Sequence, residues 1–169
     1  MQKIIILVLF LLPLSLAAQS AEEQFDKGYD FYDAGEYSKA VEAYTLAIAI
    51  EPENAKFYYH RGVCLSMLSD NEEAIEDLNK AIKLDDTFAE AYFERAFSEY
   101  RLMKTEEALS DYDKSIEIDP EYGPAYLNRG TVKFELDDLD GACYDWRKAF
   151  NLGIEIANEL LKEYCLSKS

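Results

Sequence analysis

The residues best suited to chemistry lie close together near the end of the chain, in the segment GACYDWRKAF at positions 141–150. Cys143 is a possible nucleophile or metal ligand, Asp145 a possible base or ligand, and Trp146 the only tryptophan of the chain. Two interpretations are open at this point: a reactive or metal-binding site, or one turn of a packed helix. The choice between them depends on the elements that position the segment.

Catalysis has little support elsewhere in the sequence. A histidine-dependent triad would rest on His60, the only histidine, and no serine or cysteine motif surrounds it. The chain has no glycine-rich phosphate loop, no HExxH and no CxxC motif, and no acidic loop with the calcium-binding pattern. We therefore expect a surface histidine, no catalytic residue, no metal site and no cofactor, in a protein that is not an enzyme.

Residues 1–18 have the pattern of a secretory signal peptide. One lysine precedes the apolar run IIILVLFLLPLSL, and small residues follow it. The run is interrupted by Pro13 and falls short of the roughly 20 residues that a transmembrane helix needs. We expect cleavage after Ala18, with Ala17 or Ser20 as alternatives. The mature protein would then be exported, periplasmic or secreted, without membrane insertion after cleavage.

The charge balance excludes one class of partner. The chain has 34 Asp and Glu against 17 Lys and Arg, a net charge of −17 at pH 7. Such a surface repels phosphate backbones and anionic lipid headgroups, so no nucleic acid is expected as a partner. The hydrophobic fraction of 49% is nevertheless that of a globular domain with a substantial core.

From Ala21 onward the chain repeats every 34 residues without a gap. Small residues recur in three columns, namely Gly28, Gly62, Ala96 and Gly130; Ala40, Ala74, Ala108 and Ala142; and Ala47, Ala81, Ser115 and Ala149. Within a row, apolar residues show i, i+3, i+4 spacing twice. A fixed period of this size indicates stacked units that bury their apolar faces against one another. The sequence thus predicts helix pairs in rows 21–54, 55–88, 89–122 and 123–153.

The ends of the second helices are also indicated. Pro52 and Pro120 should stop the second helix of their rows, because proline is not tolerated inside a helix. Asp86 stands at the equivalent position of the second row, so we expect a softer helix end there.

These features resemble the tetratricopeptide repeat family over residues 21 to about 153. The match includes a column of large residues, Tyr44, Leu78, Tyr112 and Trp146. The resemblance implies an all-α fold, a right-handed α-solenoid of four helix-turn-helix repeats, and an exported protein of bacterial type. Residues 154–166 form one more amphipathic segment, which we expect to be a capping helix over the open end. Glu99 and Lys133 replace a usual aromatic residue in successive rows and are candidates for an ion pair.

The resemblance also implies a binding surface, because the first helices of this family line a concave groove. The matching columns carry mainly aromatic residues: Phe25, Tyr29, Tyr32, Tyr59, Val63, Phe93, Phe97, Tyr100 and Phe134. The lysines and asparagines with which some members hold a peptide's terminal carboxylate are absent from them. We expect a non-catalytic scaffold or adaptor that binds a protein segment with apolar anchors. Two alternatives stay open: aromatic residues packed between repeats, and a structural or assembly subunit of a cell-envelope complex.

Arginine and aspartate recur together in rows two to four. Each arginine is followed by an aspartate 16 residues later, as Arg61 and Asp77, Arg95 and Asp111, and Arg129 and Asp145. The first row has neither residue at these positions. We therefore predict a bidentate ion pair that links the two helices of each of these rows.

The repeat now gives each residue of GACYDWRKAF a structural interpretation. Trp146 falls in a core column and Asp145 in the ion-pair column, while Cys143 occupies an apolar position near the start of a second helix. The next helix should run antiparallel to it, which places Cys165 opposite. In an oxidising compartment we expect a Cys143–Cys165 disulfide with Cys64 left free, and two buried reduced thiols are the alternative.

Overall fold

The computed structural model describes residues 20–165, and the predicted signal peptide lies outside the described residues. The described chain contains α-helices, one π-helical turn and no strand. The helices are α1 Ala21–Asp33, α2 Tyr37–Ile50, α3 Ala55–Met67, α4 Asn71–Leu84, α5 Ala89–Arg101, α6 Thr105–Ile118, α7 Gly123–Glu135, α8 Leu139–Asn151 and α9 Ile156–Leu160, with the π-helical turn at Leu161–Cys165. Within these residues, no helix combines the length and the apolar character needed to cross a bilayer.

The helices pack in the order of the chain. The largest interfaces join α1 to α2, α3 to α4, α5 to α6 and α7 to α8, and each pair also packs on the next pair. The first helices α3 and α5 contact each other directly, which sets the first helices of adjacent repeats side by side. The predicted all-α solenoid of helix pairs is confirmed.

The column of small first-helix residues lies where the two helices of a repeat cross. A Cβ atom on Gly28 would lie 2.5 Å from the Tyr44 ring, and one on Gly130 would lie 2.8 Å from the Trp146 indole. Ala96 occupies this position in the third repeat and is fully buried. Large second-helix residues therefore pack directly onto the first-helix backbone, which explains why only Gly and Ala occur in that column.

The second helices of the first three repeats end at equivalent positions, Ile50, Leu84 and Ile118. We predicted a softer end for α4, yet α4 ends at the position equivalent to the ends of α2 and α6. The Asp85 carboxylate accepts hydrogen bonds from the Thr87 backbone N–H at 3.0 Å and from the Thr87 hydroxyl at 2.7 Å. The third row forms an equivalent turn, in which the backbone N–H of Glu121, directly after Pro120, donates at 2.9 Å to Asp119, directly before it.

The end of the solenoid is covered by α9 and the π-helical turn. Ala157 is fully buried and Leu161 is buried against the fourth repeat. Tyr164 packs on Phe134 and Trp146, with ring centroids 4.6 and 6.0 Å apart. The capping segment was predicted as one regular helix, but its second half is a π-helical turn, for which the sequence pattern carries no signal.

Candidate functional site

Each arginine of the recurring column forms a bidentate ion pair with the aspartate of its own repeat. The Nε and Nη2 atoms donate to the two carboxylate oxygens, at 2.6 and 2.7 Å for Arg61–Asp77, 2.5 and 2.7 Å for Arg95–Asp111, and 2.9 and 2.6 Å for Arg129–Asp145. The three aspartates are buried. The structure thus brings the predicted partners together, in a geometry that fixes the angle between the two helices of a repeat.

The third donor of each arginine reaches the preceding repeat, a contact that the sequence reasoning missed. The Nη1 atoms donate to Thr45 at 3.0 Å, Asn79 at 2.6 Å and Asp113 at 2.5 Å, each 16 residues earlier. A tyrosine one turn back, Tyr58, Tyr92 or Tyr126, lies against each guanidinium group. Each of these three arginines therefore links three helices. The ion-pair column connects adjacent repeats as well as the two helices within a repeat.

The candidate pair of Glu99 and Lys133 is not formed. The Lys133 ammonium group donates instead to the fully buried Asp145 at 2.8 Å. The Glu99 Oε2 atom is buried without a hydrogen-bond partner among the described residues, and burial raises the pKa of this carboxyl group to about 7. Asp145 attracts Lys133 because it carries a buried charge within reach on the facing helix.

The segment GACYDWRKAF is part of the packed helix α8, Leu139–Asn151. Trp146 is 1% exposed and Asp145 is held by two cations. Cys143 is joined to Cys165 by a disulfide, with the two Cα atoms 5.8 Å apart. Cys64 is free and buried, and burial raises the pKa of its thiol to about 12, so it lacks the thiolate that reactivity requires. No cluster of metal-ligating side chains occurs among residues 20–165.

The predicted groove residues line one side of α1, α3, α5 and α7, which we call the first-helix face. All of them keep some solvent exposure, and Tyr29 is 47% exposed. Several also pack between repeats: Phe25 contacts Phe57, and Phe93 contacts Tyr122. Phe134 is covered by Tyr164 of the capping segment, which closes the face at the fourth repeat. These aromatic residues therefore serve the core and the surface together.

A cavity of about 200 Å³ opens between α5, α6 and α7. It is lined by Phe97, Tyr100, Tyr112, Asn128, Thr131 and Val132. Its polar groups are held in place, because the Tyr100 hydroxyl donates to Glu135 at 2.6 Å and the Asn128 amide donates to the Tyr112 hydroxyl at 3.5 Å. The cavity combines aromatic walls with a few fixed polar groups, as sites for a partner's side chain do.

His60 belongs to the first-helix face and is half-buried, whereas the sequence favoured a surface histidine. Its ring lies among four aromatic rings, with centroids 5.0 Å from Phe25, 6.3 Å from Tyr29, 5.7 Å from Tyr44 and 5.0 Å from Tyr59. Burial, assisted by the charge of Lys56, lowers the pKa of His60 to about 4 and keeps the ring neutral. The signal missed in the sequence was its position directly after the Phe25 and Tyr59 column.

Glu94 occupies the His60 position in the next repeat and also faces this surface. Burial raises the pKa of its carboxyl group to about 7. Its charge contributes, after burial, to the raised pKa of four tyrosines from different elements, Tyr32, Tyr59, Tyr112 and Tyr122. No hydrogen bond or ion pair to Glu94 occurs within residues 20–165. A carboxyl group without a cationic partner thus lies in the middle of an aromatic surface.

Models of the tetratricopeptide repeat match residues 55–88 and 89–122, and a model described as TPR repeat matches residues 28–69. Together they extend over more than half of the chain. No curated protein sequence gives a significant match.

Solved structures share the fold. The second TPR domain of human RPAP3, in complex with the HSP70 peptide SGPTIEEVD, has 29% identity and a TM-score of 0.65, over 67% of this chain and 94% of that one. MamA has 24% identity and a TM-score of 0.74, over 83% of this chain and 82% of that one. YrrB, a TPR protein with an unusual peptide-binding site, has 23% identity and a TM-score of 0.74, over 88% and 78%. The latter two, at below 25% identity, show the fold alone.

Proposed function

Because the chain belongs to the tetratricopeptide repeat family, we propose that it is a non-catalytic scaffold or adaptor that binds a partner protein through its first-helix face. The fold, and a neighbour that binds a peptide, support a role in protein–protein interaction. The observation that carries the choice of surface is the cavity between α5, α6 and α7, since it lies on the same series of first helices as the partly exposed aromatic residues of α1 and α3. A few residues dominate the binding energy of protein interfaces, and tyrosine is enriched among them.

We also propose that the protein is exported and acts in the periplasm or as a secreted protein. The apolar run and small residues of the first 18 positions support export. The Cys143–Cys165 disulfide adds support, because such bonds persist mainly in oxidising compartments. N-terminal sequencing of the protein from extracellular and periplasmic fractions tests this proposal, and an uncleaved chain retained in the cytoplasm would contradict it.

The surface is tested with substitutions that leave the helix cores intact. Tyr29→Ala and Phe97→Ala remove aromatic side chains that belong to no buried core cluster. Tyr144→Ala on α8 is the matched control, because Tyr144 is 58% exposed and lies on a second helix. We expect the double variant to lose partners that the wild type captures from an envelope fraction, while Tyr144→Ala retains them. Unchanged capture by the double variant, with helicity preserved, would contradict the assignment of this face.

A second candidate is a structural or assembly subunit of a cell-envelope complex. The observation that favours it is a set of exposed apolar side chains on the second helices and the capping segment: Leu46, Ile50, Tyr144, Phe150 and Ile156. In this case Tyr144→Ala and Ile156→Ala would release the partner, and the Tyr29 and Phe97 substitutions would not.

A further inference from the structure

Glu94 is a carboxylate of the third repeat that lies at the aromatic surface without a cationic partner among residues 20–165. Its own helix supplies Arg95, but that guanidinium group is bound to Asp111 and Asn79 on the second helices. Lys133 of α7 is bound to Asp145, and Lys56 of α3 forms no ion pair with Glu94 among the described residues. The positive charge that would satisfy Glu94 is therefore not provided by the neighbouring side chains that the structure describes.

The surroundings of Glu94 suit a cation from outside. Four tyrosines from α1, α3, α6 and the segment before α7 lie close enough for its charge to act on them, and the charge of Glu90 acts on two of these. Aromatic ring faces attract ammonium and guanidinium groups, most strongly where water is excluded. Because the whole chain carries a net charge of −17, a positively charged segment is also attracted over a longer range.

The apolar part of the recognition lies next to the acidic part. The charge of Glu94 contributes to the raised pKa of Tyr112, and Tyr112 also lines the cavity of about 200 Å³. Phe97, one helical turn after Glu94, lines the same cavity. A bound segment can therefore place one side chain beside Glu94 and a neighbouring apolar side chain in the cavity.

From this arrangement we propose that the first-helix face selects an extended segment of a partner protein that carries lysine or arginine next to an apolar residue. The cation binds the Glu94 carboxylate among the tyrosine rings, and the apolar side chain fills the cavity. This selectivity rests on the proposed function of the first-helix face and specifies the chemistry of its ligand. Here an acidic site binds a positively charged side chain, whereas members that capture a peptide's terminal carboxylate use basic side chains.

The probe for this proposal is a displayed library of random dodecapeptides, selected in parallel on four forms of the protein. These are the wild type, Phe97→Ala, Glu94→Gln and Glu76→Gln. Glu76 is exposed on the second helix α4, so Glu76→Gln makes the same change in net charge away from the first-helix face. Circular dichroism verifies that all four forms are folded.

We expect the wild type and Glu76→Gln to enrich the same peptides, with Lys or Arg at a fixed distance from an apolar residue. Phe97→Ala should lose these peptides, and Glu94→Gln should retain the apolar position but lose the basic one. Groove-dependent peptides without an enriched basic position would overturn the selectivity and leave the proposed function intact. The absence of any peptide whose binding depends on Phe97 would contradict both the selectivity and the proposed function.

Affinity measurements on the strongest selected peptide give a second readout, in which the basic residue of the peptide is changed as well as Glu94. Replacing its basic residue by glutamine should weaken binding to the wild type by about 10- to 100-fold, the usual effect of losing a charged hydrogen bond. The same change should have little effect on binding to Glu94→Gln. An equal loss for both forms would overturn the role of Glu94.

The pH dependence of binding provides an independent signature. The ionisable groups that face Glu94 are Tyr32, Tyr59, Glu90, Tyr112 and Tyr122, and the raised pKa values of the tyrosines keep them neutral below pH 9. Because only the ionised Glu94 attracts a cation, affinity for the basic peptide should rise as the pH increases through about 7. Binding of the glutamine-substituted peptide should lack this rise, and a rise shared by both peptides would overturn the proposal.

Discussion

At the scale of single residues, His60 and Glu94 show how one position of the repeat perturbs two different groups. Burial lowers the pKa of the imidazole to about 4 and raises the pKa of the carboxyl group to about 7. Both shifts favour the neutral form, because an aromatic surface solvates charge poorly. The free energy of unfolding must therefore depend on pH through these two groups, in opposite directions.

For Glu94 the folded-state pKa lies above the ordinary value of 4.5, so the folded protein binds the proton more tightly. The contribution of Glu94 to the free energy of unfolding is fully present at low pH. It is lost as the pH rises from about 4.5 to 7. We expect Glu94→Gln to gain stability relative to the wild type across this range, by on the order of 1 kcal/mol. Urea unfolding at pH 5 and pH 8 measures the difference, and an equal effect of the substitution at both pH values would contradict it.

His60 supplies the counterpart for the same experiment. Its folded-state pKa lies below the ordinary value of 6.5, so the unfolded chain binds the proton more tightly. The contribution of the neutral His60 ring to the free energy of unfolding is fully present above pH 6.5. It is lost as the pH falls toward 4. His60→Gln should therefore be more stable than the wild type at acidic pH, a condition in which Glu94→Gln gains no stability.

The buried ion pairs predict a strong energetic coupling. In a double-mutant cycle with Arg95→Ala and Asp111→Ala, we expect a coupling energy of about 1 to 3 kcal/mol, because both hydrogen bonds form in a partly buried site. Lys114 and Glu117 form the control pair, 3.0 Å apart with side chains 40% and 71% exposed. Their coupling should stay below about 1 kcal/mol. Equal coupling in the two cycles would show that the arginine column adds nothing beyond a surface pair.

The arginine column also shows what residue-level patterns predict. Arg and Asp could be paired from the sequence because they appear together in rows two to four, 16 residues apart. The contacts of the arginines to Thr45, Asn79 and Asp113 could not be predicted from the sequence. Each of these side chains accepts the same hydrogen bond, but the three are of different residue types, so no recurring residue marks the column. Glu94 was missed because an unpaired acid in a polar column is indistinguishable in sequence from a solvated one.

At the scale of elements, the turn between the two helices of a repeat has a constant backbone shape and variable residues. Gly35, Ser69, Met103 and Asp137 occupy equivalent positions with φ of 74, 70, 61 and 63°. This left-handed conformation is free of strain only for glycine. Met103 is 82% exposed, so its side chain contributes little packing to offset the strain.

We expect Met103→Gly to stabilise the protein by about 0.5 to 1 kcal/mol, because relief of the backbone strain exceeds the added flexibility of the unfolded chain. Thermal unfolding measures the change. The neighbouring Lys104, exposed and with φ of −88°, is the control, and Lys104→Gly should destabilise. A lower melting temperature for Met103→Gly would contradict the strain at this turn.

The elements were the most predictable level of this protein. The helix pairs follow from the columns of small residues, because only Gly and Ala allow the crossing seen at Gly28 and Gly130. α4 ends at the position equivalent to the ends of α2 and α6 although Asp86 replaces proline, and the Asp85–Thr87 turn that follows it is a weaker signal in the sequence than proline. The π-helical turn depends on the contact of the capping segment with the fourth repeat, which no local pattern encodes.

At the scale of the whole molecule, stability is distributed along the stack. Each helix pair packs on its neighbours, and the capping segment packs on α8. In such a solenoid the terminal units unfold most easily, because each has a neighbour on one side only. The disulfide between Cys143 and Cys165 closes a stretch of 22 residues at this vulnerable end, and Tyr164 places an aromatic ring over Trp146 beside it.

This position predicts a local effect when the disulfide is removed. The chain-entropy model gives about 3 kcal/mol for a loop of this size. In Cys143→Ser, hydrogen exchange should accelerate in α9 and in the adjoining part of α8, while α1 to α4 keep their protection because the capping segment packs mainly on α8. Cys64→Ser serves as the control for a cysteine substitution that leaves the disulfide intact, since Cys64 is free and lies in α3. A uniform acceleration over all four repeats would mean that the molecule unfolds as one cooperative unit, with the capping segment holding the entire stack together.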